Sequence, residues 1–282
     1  MAADERLSIR FWGTRGTMTP MQASPVFGIH TTAVEVFACG APPFFIDLGT
    51  GAVKAAESAL ADGTRQFDIF LTHLHFDHIA GAVCFEPLYR SDSTVTIHGV
   101  SNRIKETIEG LFASPYYPVG FDALKAMVNF DVLASEGAKE LKDHKVMIRW
   151  NQLAHPQGCT AYRIEAGANA IVFATDVELG GSNNNDALRS LMIDPFPAGL
   201  AVIDGAYTEA EVAAHRNWGH SSWKEAWSFG RECNVGQILI THHNPRRTDE
   251  ELVDMEASSV AGLRWAREET VWSVRGNHAE QN

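Results

Sequence analysis

FLTHLHFDHIAG, residues 70–81, packs three histidines and an aspartate into the six positions from His73 to His78, directly behind a run of bulky apolar side chains. That run, FDIFLT at 67–72, reads as a buried strand, so the polar cluster stands where the strand ends. Each of these groups is costly to desolvate without a partner. One histidine there would read as a satisfied hydrogen-bonding residue; four titratable groups this close ask for a shared partner. His73 and His75 are two apart and point the same way on an extended backbone, whereas Asp77 and His78 follow after the chain turns. The loop thereby offers two separate ligand pairs. Neutral imidazole and carboxylate suit zinc, and also iron or manganese, and the lack of nearby thiols speaks against a structural cysteine-type zinc site.

The same ending recurs along the chain. FFI (44–46) runs into Asp47, AIVFAT (170–175) into Asp176, LAVI (200–203) into Asp204 and QILIT (237–241) into His242. In α/β sheets side chains converge in the crevice beyond the carboxyl ends of strands, so residues far apart in sequence can meet in one site there. Further strands are predicted at 7–13, 33–38, 94–98, 145–153 and 160–166, and helices over 50–62, 101–113, 184–193, 221–233 and 248–267. Ser222 and Glu225 form the S-x-x-E pattern that caps a helix start. Strands interleaved with helices in both halves indicate an α/β protein with helices on the outer faces of its sheets, as one domain over 1–282 without repeat or linker. The 112–145 segment, with SPYYPVGF and SEGAKELKDH, is the least regular part and a candidate lid or insertion.

Among 282 residues, 45% are hydrophobic and 21% charged, enough apolar material for a substantial core. Lys plus Arg number 23 against 35 Asp plus Glu, a formal charge of −12, which gives no general attraction to polyanions. The opening MAADERLSIRFW is acidic where a signal peptide is basic, and no long apolar stretch follows. A cytoplasmic protein with no membrane partner is expected. Cys39, Cys84, Cys159 and Cys233 form no CxxC pair, which suggests reduced, mostly buried thiols.

THLHFDH at 72–78 resembles the T-H-x-H-x-D-H signature of the metallo-β-lactamase fold superfamily. Later landmarks follow in that superfamily's order: His155 in LAHPQGCTAYRI, Asp176 in FATDVE and His242 in ITHHNP. The resemblance covers most of the chain and implies a four-layer αββα sandwich with a binuclear site along one edge of the sheets. Carried over residue by residue, His73, His75 and His155 hold one metal, Asp77, His78 and His242 the other, and Asp176 bridges them. The implied cofactors are two divalent metal ions, zinc first, with manganese or iron as alternatives. Of the adjacent pair His242 and His243 only one can point inward on an extended backbone; His242, which directly follows QILIT, is preferred.

Further features resemble the ribonuclease Z branch and its cyclic-phosphodiesterase relatives. IRFWGTRGTMTP (9–20) looks like that branch's opening hairpin, although HTTAVEV (30–36) departs from the usual Gly-Gly-Asn-Thr, with His30 in place of a small residue. WGHSSWKEA (218–226) resembles the G-H-S/T motif that sets a catalytic histidine before a helix, which makes His220 the expected proton donor, tuned by Asp204 or Glu178. The expected reaction is phosphodiester hydrolysis by a metal-bridging hydroxide oriented by Asp77, with His220 protonating the leaving alkoxide. Arg15, Arg246 and Arg247 are candidates to grip a phosphate, against the alternative of solvated loop positions.

Ribonuclease Z carries a long Gly/Pro-rich arm for tRNA, and none is visible here; 112–145 is short and holds Glu136, Glu140 and Asp143. A small-molecule phosphodiester or cyclic nucleotide is therefore expected in place of long nucleic acid, with Tyr116, Tyr117 or Trp218 available to stack on a base. Homodimer formation is left open. The competing readings are a metal-dependent hydrolase of a carboxylic ester, thioester or lactone, and a ligand-binding member of the fold without turnover. β-Lactamase activity is disfavoured, because no export signal is apparent.

Overall fold

The computed structural model describes residues 6–180, 185–259 and 261–282. Its strands are β1 (Leu7–Gly13), β2 (Ala33–Ala38), β3 (Phe44–Ile46), β4 (Gln66–Phe70), β5 (Thr94–Gly99), β6 (Met127–Val132), β7 (Glu136–Leu141), β8 (Val146–Leu153), β9 (Cys159–Ala166), β10 (Asn169–Ala174), β11 (Leu200–Asp204), β12 (Gln237–Thr241), β13 (Leu263–Trp265), β14 (Val271–Arg275) and β15 (His278–Gln281). The helices are α1 (Ala52–Ala61), α2 (Phe76–Ile79), α3 (Ile104–Leu111), α4 (Asp186–Ile193), α5 (Glu209–Val212), α6 (Trp223–Glu232) and α7 (Asp249–Ala257).

Two sheets result. The first is ordered β15-β14-β1-β2-β3-β4-β5-β6 and the second β13-β12-β11-β10-β9-β8-β7. Strands β3 to β6 run parallel, as do β10 to β13, so each sheet ends one group of strands along a common edge. Between the sheets Phe11, Val34, Phe44 and Phe70 meet Ile148, Tyr162, Phe173 and Val202, all buried. Helices α1 and α3 cover the outer face of the first sheet through Ala55, Ala59, Ile104 and Ile108. On the far side α4, α6 and α7 cover the second through Leu188, Phe229 and Leu252. The layers are therefore α, β, β, α, and β10 is buried at every position because both of its faces are covered. Burying a large apolar side chain is worth about 1.5–3 kcal/mol, so these three apolar layers dominate the stability of the fold.

Two hydrogen bonds lock the sheets together beside the HLHFDH loop: the Tyr162 hydroxyl donates to the Leu71 carbonyl (2.6 Å), and the Thr160 amide to the Thr72 carbonyl (2.9 Å). The Ser222–Glu225 capping box forms and opens α6.

Some expectations need correction. The helix expected over 248–267 stops at Ala257, and the chain re-enters the second sheet as β13. The 112–145 segment is not an irregular lid, because it contributes β6 and β7, the outermost strands of the two sheets, and carries the chain from one to the other. The helix expected from 184 begins at Asp186, and Asn184 lies outside the described residues, as does the acidic opening at 1–5. Cys159 and Cys233 are buried but Cys39 and Cys84 are exposed; all four are free thiols. Among the described residues no helix is long and apolar enough to cross a membrane.

Candidate metal centre

At the common edge, strands from both sheets end in residues with left-handed backbone: Asp47 (φ 64°) after β3, Asp176 (φ 53°) after β10 and His242 (φ 59°) after β12. Asp and His tolerate this region better than most side chains, yet it costs free energy and recurs at functional sites. Each such turn swings a polar side chain off its strand and into the crevice.

There the structure brings together His73, His75, His155 and Asp176 in one group and Asp77, His78 and His242 in another, with candidate ligand atoms in each group within 4.8 Å of one another. Asp176 touches both groups. Its Oδ2 lies 3.6 Å from His73 Nε2 and 3.9 Å from His155 Nε2, and its Oδ1 lies 3.3 Å from both His78 Nε2 and His242 Nε2. The HLHFDH loop extends from the first sheet, whereas His155, Asp176 and His242 follow strands of the second. His243 faces away, with Nε2 bonded to the Ala266 carbonyl at 2.8 Å and its ring edge-on to Phe27.

The opposite ring nitrogens are anchored. His78 Nδ1 donates to Asp47 (2.7 Å), His73 Nδ1 to the Thr72 hydroxyl (3.0 Å), and that hydroxyl in turn to Asp47 (2.8 Å). His155 Nδ1 donates to the Gly219 carbonyl at 2.9 Å. Such outer contacts fix each imidazole's tautomer and aim its other nitrogen inward. Asp47 thus positions two histidines through one carboxylate, a role the sequence signalled only by its place at a strand end. Asp77 is held by the Thr17 amide at 2.6 Å. Two glycines leave room for rings: a Cβ on Gly16 would overlap the His242 imidazole, and one on Gly219, at φ 85°, the His155 imidazole.

A divalent cation fits this donor set. Nε2 of His73 is buried without a hydrogen-bond partner, an arrangement that proteins avoid unless something else occupies the lone pair, and Nε2 of His78 faces Asp77 and Asp176 at 3.3 Å each. Burial, and then the charge of His78, keeps His73 well below the ordinary histidine value and hence neutral. Burial also opposes charge on His78, but Asp176, Asp77 and Asp47 outweigh it and hold a proton there. A cation would take that proton's place.

His220 joins the cluster from the side, its ring stacked on His242 at 4.8 Å. Its Nδ1 donates to the buried Asp204 at 2.6 Å, which identifies Asp204 and not Glu178 as its carboxylate neighbour. Burial lowers its affinity for a proton, Asp204 more than compensates, and its pKa is pushed up to about 9. Glu178, also buried, instead accepts from the amides of Asn217 (2.8 Å) and Gly219 (3.1 Å), clamping the turn that leads to His220.

The arginines fall elsewhere. Arg15 is neither a phosphate grip nor solvated: it is fully buried and donates to the carbonyls of Gly28, Asn244 and Arg247 and to Ser24. Arg247 pairs with Glu211. Arg246 is exposed, lining a cavity beside His220. Of the three aromatics, Tyr117 donates into the fold at Val83 (2.9 Å), Tyr116 is exposed away from the described cavities, and Trp218 lines the His220 cavity.

Stacked sheets under helices, with two His/Asp groups bridged by one aspartate at their edge, are the architecture of a metallo-β-lactamase-fold hydrolase. The chain belongs to the beta-lactamase superfamily: the family model for the beta-lactamase superfamily domain matches residues 44–243. Ribonuclease Z of Bradyrhizobium sp. strain ORS 278 is 26% identical over 264 residues, 78% of this chain and 86% of the relative. Among solved structures, the metallo-β-lactamase fold protein YhfI from Bacillus subtilis superposes with TM-score 0.71 at 17% identity, covering 96% of this chain and 100% of that one. A diphosphatase of the PhnP family does so at 0.70 and 16%, covering 95% and 97%. The protein is a metal-dependent hydrolase related to ribonuclease Z and phosphodiesterases, and the fold implies divalent metal ions.

Proposed function

We propose that the protein is a phosphodiesterase for small phosphodiesters, cyclic nucleotides included. His73, His75 and His155 would hold one divalent cation and Asp77, His78 and His242 the other, with Asp176 within reach of both; zinc is the proposed ion. Such cations would supply Lewis-acid chemistry, making water more acidic and offsetting the charge that develops on phosphoryl oxygens. Asp77, fixed by Thr17, accepts a hydrogen bond from the attacking water and orients it. His220, kept protonated by Asp204, gives its Nε2 proton to the departing alkoxide.

The observation that carries this reading is the pairing of half-buried His220 with buried Asp204 beside the corner formed by Asp176 and His242. A phosphate ester leaves as a poor alkoxide and needs that proton. The limited size of the substrate is supported by the acidic composition and by the use of 127–141 for two sheet strands in place of a long arm. Purified protein supplied with zinc or manganese should hydrolyse bis(p-nitrophenyl) phosphate and 2′,3′-cyclic nucleotides. Turnover no greater than that of His75→Ala would count against the reading. If the substrate were a carboxylic ester, thioester or lactone, His220→Ala would hardly matter. Elemental analysis of protein prepared without added metal identifies the ion.

A further inference from the structure

Beside the metal centre a cavity of about 410 Å³ opens between the loops at 206–220 and 242–251, within the size range of small-ligand sites. His220 and His242 close its buried end, and Trp218 and Arg246 stand at its exposed rim. An aromatic wall joins the two. Trp218 meets His215 edge-on at 4.8 Å, His215 stacks on Tyr207 at 4.6 Å, and Tyr207 lies 6.1 Å from His220.

Trp218 is 59% exposed and belongs to none of the apolar core clusters, so packing does not explain it. Nor is it on a loose loop. Asn217 (φ 71°) and Gly219 (φ 85°) flank it in left-handed conformations, and the buried Glu178 carboxylate binds the amides of both. A buried carboxyl group thus fixes the backbone on both sides of Trp218 at the mouth of a cavity, which lowers the entropic cost of binding against it.

The charges in the cavity decide what the ring meets. Arg247 contacts both Glu211 and Glu251, which offset its charge. Arg246 stands exposed at the rim, so within the recess the flat apolar face of Trp218 is the feature left to meet the rest of a ligand.

We infer that this cavity is a nucleobase subsite, in which the 217–219 turn presents Trp218 to the base of a nucleotide whose phosphate sits at the metal centre. The inference rests on the phosphodiesterase reading for the position of the phosphate and adds a nucleoside as the substrate class. Stacking of a base on an aromatic side chain is sequence-tolerant, so purines and pyrimidines are both accepted, purines more tightly.

The test is equilibrium binding, by calorimetry, of AMP and of ribose 5-phosphate to the metal-loaded protein. AMP is expected to bind about tenfold more tightly than the base-free sugar phosphate. Trp218→Ala should abolish that preference without weakening ribose 5-phosphate, and Trp218→Phe should restore most of it. Equal affinities in the unaltered protein, no binding of either ligand, or equal losses for both ligands in Trp218→Ala would overturn the subsite. Because binding is read without turnover, failure of phosphodiester hydrolysis would sink the proposed activity and leave this result standing.

Discussion

The protein builds two clusters from the same residue types, and they differ in where the ring nitrogens point. Away from the metal centre, His98 bonds Asp131 through Nδ1 (2.9 Å) and Asp68 through Nε2 (2.8 Å), while His144 bonds the Pro42 carbonyl (3.0 Å) and Asp68 (3.1 Å). Lys139 completes the network on Asp131 at 2.8 Å. Every imidazole nitrogen there has a protein acceptor. At the strand-end cluster one nitrogen of each anchored histidine is satisfied and the other faces carboxylates and imidazoles, with Nε2 of His73 unbonded. Composition alone does not separate the two clusters; the convergence of ring nitrogens on one another and on shared carboxylates sets the candidate centre apart.

Four experiments press on this contrast. Asp176→Ala should have the largest effect, since one carboxylate serves both groups: bound divalent metal should fall below one ion per chain by elemental analysis, and phosphodiester turnover by at least about 10³-fold. Full metal content in that variant would erase the distinction between the clusters.

His220→Ala comes next. Turnover of 2′,3′-cyclic nucleotides should drop about 10²–10⁴-fold while metal content stays unchanged. The loss should be much smaller for bis(p-nitrophenyl) phosphate, whose leaving group needs no proton. Equal losses on the two substrates would argue that His220 holds metal instead.

Asp68→Ala should act on stability alone. It strands two buried imidazoles and should cost about 1–3 kcal/mol in a urea titration, with metal content and kcat retained.

The smallest effect is a pH dependence of the same network. Burial resists ionisation of Asp68, but bonds from His144 and His98 outweigh it and hold its pKa below the ordinary value. Its contribution to stability is therefore present above the unfolded value near pH 4 and is lost on acidification. Burial likewise opposes charge on His144, Asp68 outweighs it, and the pKa is raised. That contribution is complete below about pH 6.5 and fades as pH rises through the folded value. In chelator the urea midpoint should thus favour the window from about pH 4 to 6.5, and Asp68→Asn should flatten the profile; an unaltered profile would remove the network from the account.

Much of the centre was legible because its residues close apolar runs: FDIFLT, AIVFAT and QILIT are largely buried, and the polar residue after each marks the edge. The outermost strands were not. In β7, EGAKEL, only Leu141 is buried, and β6, MVNFDV, has no fully buried residue, so neither shows an apolar run. β13 is three residues long and follows a helix whose polar pattern has no sharp stop in the sequence. Arg15 misled because charge suggests solvent, whereas backbone carbonyls gathered from distant loops satisfy it. Glu178 acts through the backbone amides of Asn217 and Gly219, which carry no motif of their own.

The seven clustered residues divide between the sheets, four on the loop that leaves β4 and three behind strands of the other layer. Neither layer by itself presents the full donor set, so under the proposed metal binding a chain whose sheets are misdocked would lack a complete site, and a loaded one would be tied across the seam between its two sheets.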